Sequence, residues 1–133
     1  MLRLVAMVLF GLMFLAEAVD AYGLFLTLVD PAPAAARVGS TVGAEVLRTA
    51  ILLILALIVA LGALLAVVGL RAAKPALFRL GAMACALGYV VYGLYQVADG
   101  ALQVGSAIVI IAGLIYLVLG GIAYAMYRSV FET

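Results

Sequence analysis

The chain has 133 residues, 71% hydrophobic and 10% charged, with seven Lys plus Arg against six Asp plus Glu. A soluble domain carries about 25% charged residues, so a water-soluble fold of this composition has no polar skin, and a net charge of +1 offers no footprint for nucleic acid. With no histidine and a single cysteine, Cys85, the chain cannot build bis-histidine haem ligation, thiolate zinc sites, Ser-His-Asp triads or an internal disulfide; no metal and no cofactor are expected.

The mean hydropathy of +1.44 points to lipid as the solvent. A helix needs about 20 mostly apolar residues to cross about 30 Å of hydrocarbon, and four segments qualify. The first runs from about Leu4 to Val29 and stops at Asp30-Pro31-Ala32-Pro33, where proline cannot continue a helix. Arg3 before an apolar run is how a signal peptide begins. The run continues through Leu28, however, with two carboxylates inside it and no small-residue cleavage site, so a retained helix is expected. A loop should follow to about Gly43. The second helix runs from about Ala44 to Leu70, and Lys74-Pro75 makes a tight turn. The third covers about Ala76 to Ala98, with Asp99-Gly100 as its stop, and the fourth runs from about Gln103 to Tyr127.

No stretch alternates with period two, and unpaired backbone in lipid costs several kcal/mol per group, so the expected fold is all-α: an integral membrane four-helix bundle, one domain over 1–133, antiparallel and up-down. Arg3, Arg71, Lys74, Arg79 and Arg128 fall at one end of these spans, and Arg37 and Arg48 at the other. By the positive-inside rule a multi-pass protein with both termini cytoplasmic follows. A 70-residue offset aligns Gly11, Met13, Ala16 and Tyr22-Gly23-Leu24 with Gly81, Met83, Ala86 and Tyr92-Gly93-Leu94, six identities over the fifteen positions 11–25. Two tandem helical hairpins are one source of this match, and chance in a chain rich in Ala, Leu, Val and Gly is the other.

Glu17 and Asp20 are the residues least compatible with lipid, since a charge at the centre of a span costs about 2.5 to 3.5 kcal/mol even on the lenient insertion scale. At 1.5 Å per residue from Val29 they lie roughly 18 and 13 Å deep, and a spacing of three puts them on one face. They are candidates for binding a proton or cation, or for an ion pair that locks packing. Arg48, about one turn inside the second helix, is the expected partner of Asp20; pairing with Glu45 and snorkelling to lipid phosphate are its alternatives. On the third helix Tyr89, Tyr92, Gln96 and Asp99 form a polar stripe at matching depth. A polar cup between the outer halves of the first three helices is therefore expected, with Gln103 and Ser106 at its rim. On the fourth helix Gly113, Tyr116, Gly120 and Tyr124 share a face suited to helix contact.

Three functional classes fit these residues. The leading reading is a non-enzymatic accessory or assembly subunit of a larger membrane complex or homo-oligomer, with other membrane helices and the lipid bilayer as its partners. The second is a small proton- or cation-coupled transporter or channel using Glu17 and Asp20. The third, a membrane enzyme acting on lipids or quinones, lacks a second evident catalytic group beyond Tyr89 or Tyr92.

Overall fold

The computed structural model describes residues 1–104 and 106–131, and of Val38, Gln103 and Val104 the backbone only. Among the described residues the chain is all-helical: α1 (Leu2–Val29), a short α2 (Ala32–Val38), α3 (Val42–Arg71), α4 (Pro75–Asp99), a π turn (Gly100–Val104) and α5 (Ala107–Ser129). Four of these helices, the last two turns of α4 running on to Leu102, are long and apolar enough to cross a membrane, and they form a helical bundle. The side chain of Gln103, expected at the rim of a polar cup, lies outside the described residues.

Local chemistry explains the boundaries. The Thr41 hydroxyl accepts from the Ala44 N–H at 3.1 Å and starts α3, the Ser106 hydroxyl accepts from the Val109 N–H at 3.5 Å and starts α5, and Pro75 sits in the first turn of α4, where its missing N–H costs nothing. The stretch expected as a loop holds α2, because proline is tolerated at Pro31 and Pro33 in a first turn and alanines propagate the helix. Gly39, left-handed at φ 67°, closes it. Ala73 takes the same left-handed role after α3 at φ 52°, with its N–H bonded to the Leu70 carbonyl and that of Lys74 to the Gly69 carbonyl.

α4 ends at Asp99, where Asp99-Gly100 is expected to stop it, but the chain does not turn away there. Gly100 stays right-handed at φ −64°, the chain runs on into the π turn, and α5 begins at Ala107 rather than Gln103. Glycine is needed there for proximity, since a Cβ at Gly100 would lie 3.0 Å from the Ile110 nitrogen.

The backbones in close contact are α1 with α3, α3 with α4, and α4 with α5. Glycine makes the seams on α4: a Cβ on Gly81 would lie 2.4 Å from the Ala66 nitrogen, and one on Gly93 2.6 Å from the Gly113 carbonyl oxygen. A two-fold relation between tandem hairpins would repeat the α3–α4 seam between α5 and α1. Instead α1 meets α5 through side chains such as Leu119 and Tyr116, and the turn beyond α5 where the Arg3 guanidinium lies 4.3 Å over the Phe131 ring. The glycines aligned by the 70-residue offset also differ in use, for nothing lies within 4 Å of a Cβ built on Gly11 or Gly23.

One end of the bundle is an apolar plug in which Phe10 meets Phe78 edge-on at 5.8 Å and Phe78 meets Phe131 at 5.4 Å, with Ala6, Ala66, Leu70 and Val130 around them. A smaller cluster of Ala21, Leu52, Ala56 and Tyr92 lies beyond the middle. Gly81→Ala should destabilise the protein by about 1 to 3 kcal/mol, since the added methyl meets backbone that cannot turn aside. Gly11→Ala should be neutral or slightly stabilising, and thermal unfolding in detergent compares the two.

Candidate functional site

Glu17 and Asp20 stand on the face of α1 turned to α4 and α5. Glu17 is 1% exposed and close to the midpoint of its helix. Tyr92 on α4 donates its hydroxyl to Asp20 Oδ2 at 2.5 Å. Tyr116 on α5 sets its ring 4.5 Å from that of Tyr92 and 5.5 Å from that of Tyr89, and its hydroxyl lies beside Glu17. Two carboxyls and three tyrosines thus converge from three helices. Glu17 Oε2 is buried and has no hydrogen-bond partner.

Arg48 does not join this cluster, which corrects its expected pairing with Asp20. Its Nε donates to Asp99 Oδ2 at 2.7 Å and its Nη1 to Glu45 Oε1 at 2.9 Å. The reason is positional. Glu45 lies one turn back on the same helix, and α4 carries Asp99 to the start of α3, so two carboxylates lie closer to the guanidinium than Asp20, which the Tyr92 hydroxyl already satisfies. Glu45 and Asp99 are 3% and 4% exposed. Glu45 Oε2 and Asp99 Oδ1 are buried without a partner, as is the amide Oε1 of Gln96, one turn before Asp99 on α4.

The expected single polar cup is therefore two sub-sites. The inner one holds Glu17, Asp20, Tyr89, Tyr92 and Tyr116, and the outer one holds Glu45, Arg48, Gln96 and Asp99, with Tyr95 within electrostatic reach of the last. On α4, Tyr92 and Asp99 are seven residues and hence about 10 Å apart along the axis. A cleft of about 220 Å³ among α1, α2 and α3 reaches the outer sub-site and is lined by Thr27, Arg37, Glu45, Arg48 and Thr49 among others. An apolar cleft of about 240 Å³, lined by Leu9, Leu12, Met13, Ala16, Tyr89 and Leu119, runs between α1 and α5 to the inner one.

The stripe expected as a contact face on the fourth helix divides. Gly113 and Gly120 are buried against α4 within the same chain, Tyr116 turns to the acids, and Tyr124 is 46% exposed and stacks on Tyr127 at 5.9 Å. Tyr116 and Glu45 are the participants that sequence reasoning placed elsewhere or left as an alternative. The Glu45-Arg48 spacing of three was the one available signal for the second.

The chain matches no protein-family model, and comparison with curated proteins and with solved structures likewise finds no match. The residues alone must then carry the functional argument.

Tyr92→Phe removes the donor to a half-buried carboxylate and should cost about 1 to 3 kcal/mol, whereas Tyr22→Phe, at a side chain 65% exposed, should cost nothing measurable. Arg48→Gln leaves two buried carboxylates facing each other and should cost about 3 kcal/mol or more. Unfolding of the purified variants in detergent measures all three.

Proposed function

We propose that the protein is a four-span membrane protein acting as a small proton-coupled transporter, with Glu17 and Asp20 as the groups that load and release the proton. One observation carries this reading: Glu17 is buried at mid-span with one oxygen unpartnered and a second carboxyl beside it, and Arg48, the base expected there, is engaged elsewhere. Polar groups kept for packing alone are normally satisfied. A pair of acids that lacks a countercharge and is only half bonded is what an exchangeable proton requires. Tyr92 and Tyr116 hold the pair in register by donating and stacking, and the polar residues of α4 lead from it toward Asp99.

The orientation follows from the chain's ends and its charges. Ala6, Phe10, Leu70, Phe78 and Val130 share one apolar cluster, which supports an antiparallel up-down bundle. The basic residues Arg3, Arg71, Lys74, Arg79 and Arg128 belong to that same end, which supports a cytoplasmic location for both termini. The Phe10, Phe78 and Phe131 plug closes this end, so the inner acids communicate with the opposite face, and transport requires the plug to part.

A second reading, an accessory subunit or homo-oligomer, is favoured by the bare side of α1. There Leu12, Leu15, Val19 and Tyr22 are 58%, 59%, 73% and 65% exposed, and Gly11 and Gly23 leave room for another backbone.

In proteoliposomes carrying a trapped pH dye, Glu17→Gln and Asp20→Asn should each lower proton flux at least tenfold while the size-exclusion profile stays that of the wild type. Wild-type vesicles that show no flux above empty ones, with a partner lost from the variants on purification, would instead establish the subunit reading. Single cysteines at Ser40 and Ala73 in a Cys85→Ala background test orientation: an impermeant maleimide added to intact cells should label position 40 and leave position 73 untouched until the membrane is opened.

A further inference from the structure

The outer sub-site has an imbalance that the proton reading does not use. Arg48 supplies one positive charge to Glu45 and Asp99, so two carboxylates and one guanidinium leave a deficit of one charge in a region where each acid is at least 96% buried. The remaining buried atoms, Glu45 Oε2, Asp99 Oδ1 and Gln96 Oε1, are all acceptors, and all lack a partner. Neither carboxylate is rotated so as to give both oxygens to the fork. Arg37 lines the adjoining cleft but is exposed, and Tyr95, the other titratable neighbour, brings no positive charge.

We infer that Glu45, Asp99 and Gln96 form a binding site for one monovalent cation, entered through the cleft that Thr27 and Thr49 line. The charge deficit sets the valence at one. The donor set, two carboxylate oxygens and an amide oxygen, suits a hard ion that takes oxygen ligands. Arg48 acts as a positioning residue: it holds one oxygen of each acid and so leaves the other free for the ion. Glu45 and Asp99 lie on different helices, so a bound ion would join α3 to the end of α4, and binding would stabilise the fold. The site stands whether or not Glu17 and Asp20 move protons.

The test is thermal unfolding of the detergent-solubilised full chain in sodium, potassium or choline chloride at constant ionic strength. A melting temperature that rises saturably with sodium or potassium and not with choline is expected. Gln96→Leu leaves both bonds of Arg48 intact and should weaken the apparent affinity at least tenfold; Glu45→Gln and Asp99→Asn should abolish the response. Glu17→Gln should keep it. Identical unfolding in all three salts would overturn the site, as would a response that survives Gln96→Leu unchanged or one that vanishes in Glu17→Gln and so belongs to the inner acids. Should the Glu45 and Asp99 variants not fold, the contrast between Gln96→Leu and Glu17→Gln decides alone.

Discussion

An interior this apolar offers a carboxylate no water, so every acid buried within it must be accommodated by the protein itself, and the bundle is organised around four such groups. Two of them, Glu45 and Asp99, share the guanidinium of Arg48 as a forked pair of charged hydrogen bonds. The other two, Glu17 and Asp20, have tyrosines in place of a base. A hydroxyl donates to an acid whether or not it is charged. An arginine favours the charged form only. The fold therefore gives one acid pair a base and the other pair hydroxyls, and it separates the two by about two turns of α4.

This separation depends on how closely the helices approach. On α4, Gly81 lets α3 come within backbone contact, while Gly93 and Gly113 do the same toward α5. Three helices are thereby fixed in rotation, and Tyr89, Tyr92 and Asp99 have no freedom to present another face. α1 has close backbone contact with α3 alone and meets the rest through Phe10, Met13, Glu17 and Asp20, whose long side chains repack at lower cost than a glycine seam. Any rearrangement that changes access to Glu17 is consequently easiest on α1. The inner acids sit on the helix joined to the rest by side chains more than by glycine seams, and the ion pair sits between two helices that such a seam joins.

The sequence made the four long helices plain because apolar runs long enough to cross a membrane, bounded by proline, glycine and charge, are easily read, and it made Glu17, Asp20 and Tyr92 plain because polar residues stand out against apolar neighbours. It hid the rotation of each helix. In a water-soluble bundle the apolar stripe marks the buried face, but here lipid-facing and core-facing residues are equally apolar, so periodicity cannot say which way Tyr116 or Arg48 points. Tyr116 shares a stripe with Gly113 and Gly120, yet it reaches the acids while they pack on α4. Asp99-Gly100 does end α4, but without the left-handed turn that a terminal glycine usually brings. Glycine has the same letter whether it ends a helix by turning left-handed or continues one to admit a neighbour, and only the proximity of Ile110 distinguishes the cases.

The same ambiguity bears on the 70-residue self-similarity. Glycines at 11 and 23 align with 81 and 93, but only the second pair is covered, and Glu17 and Asp20 have apolar residues, Leu87 and Val90, at the matching places. If the hairpins share an origin, their halves have since taken different tasks, with the second supplying the packed frame, the donor hydroxyls and Asp99, and the first supplying Glu17, Asp20 and Glu45. That division removes the symmetry a duplicated pair would have. Both polar sub-sites draw on the second half of α4, where Tyr89, Tyr92, Gln96 and Asp99 recur, whereas between Leu80 and Gly88 the helix is apolar and packs through glycine and alanine.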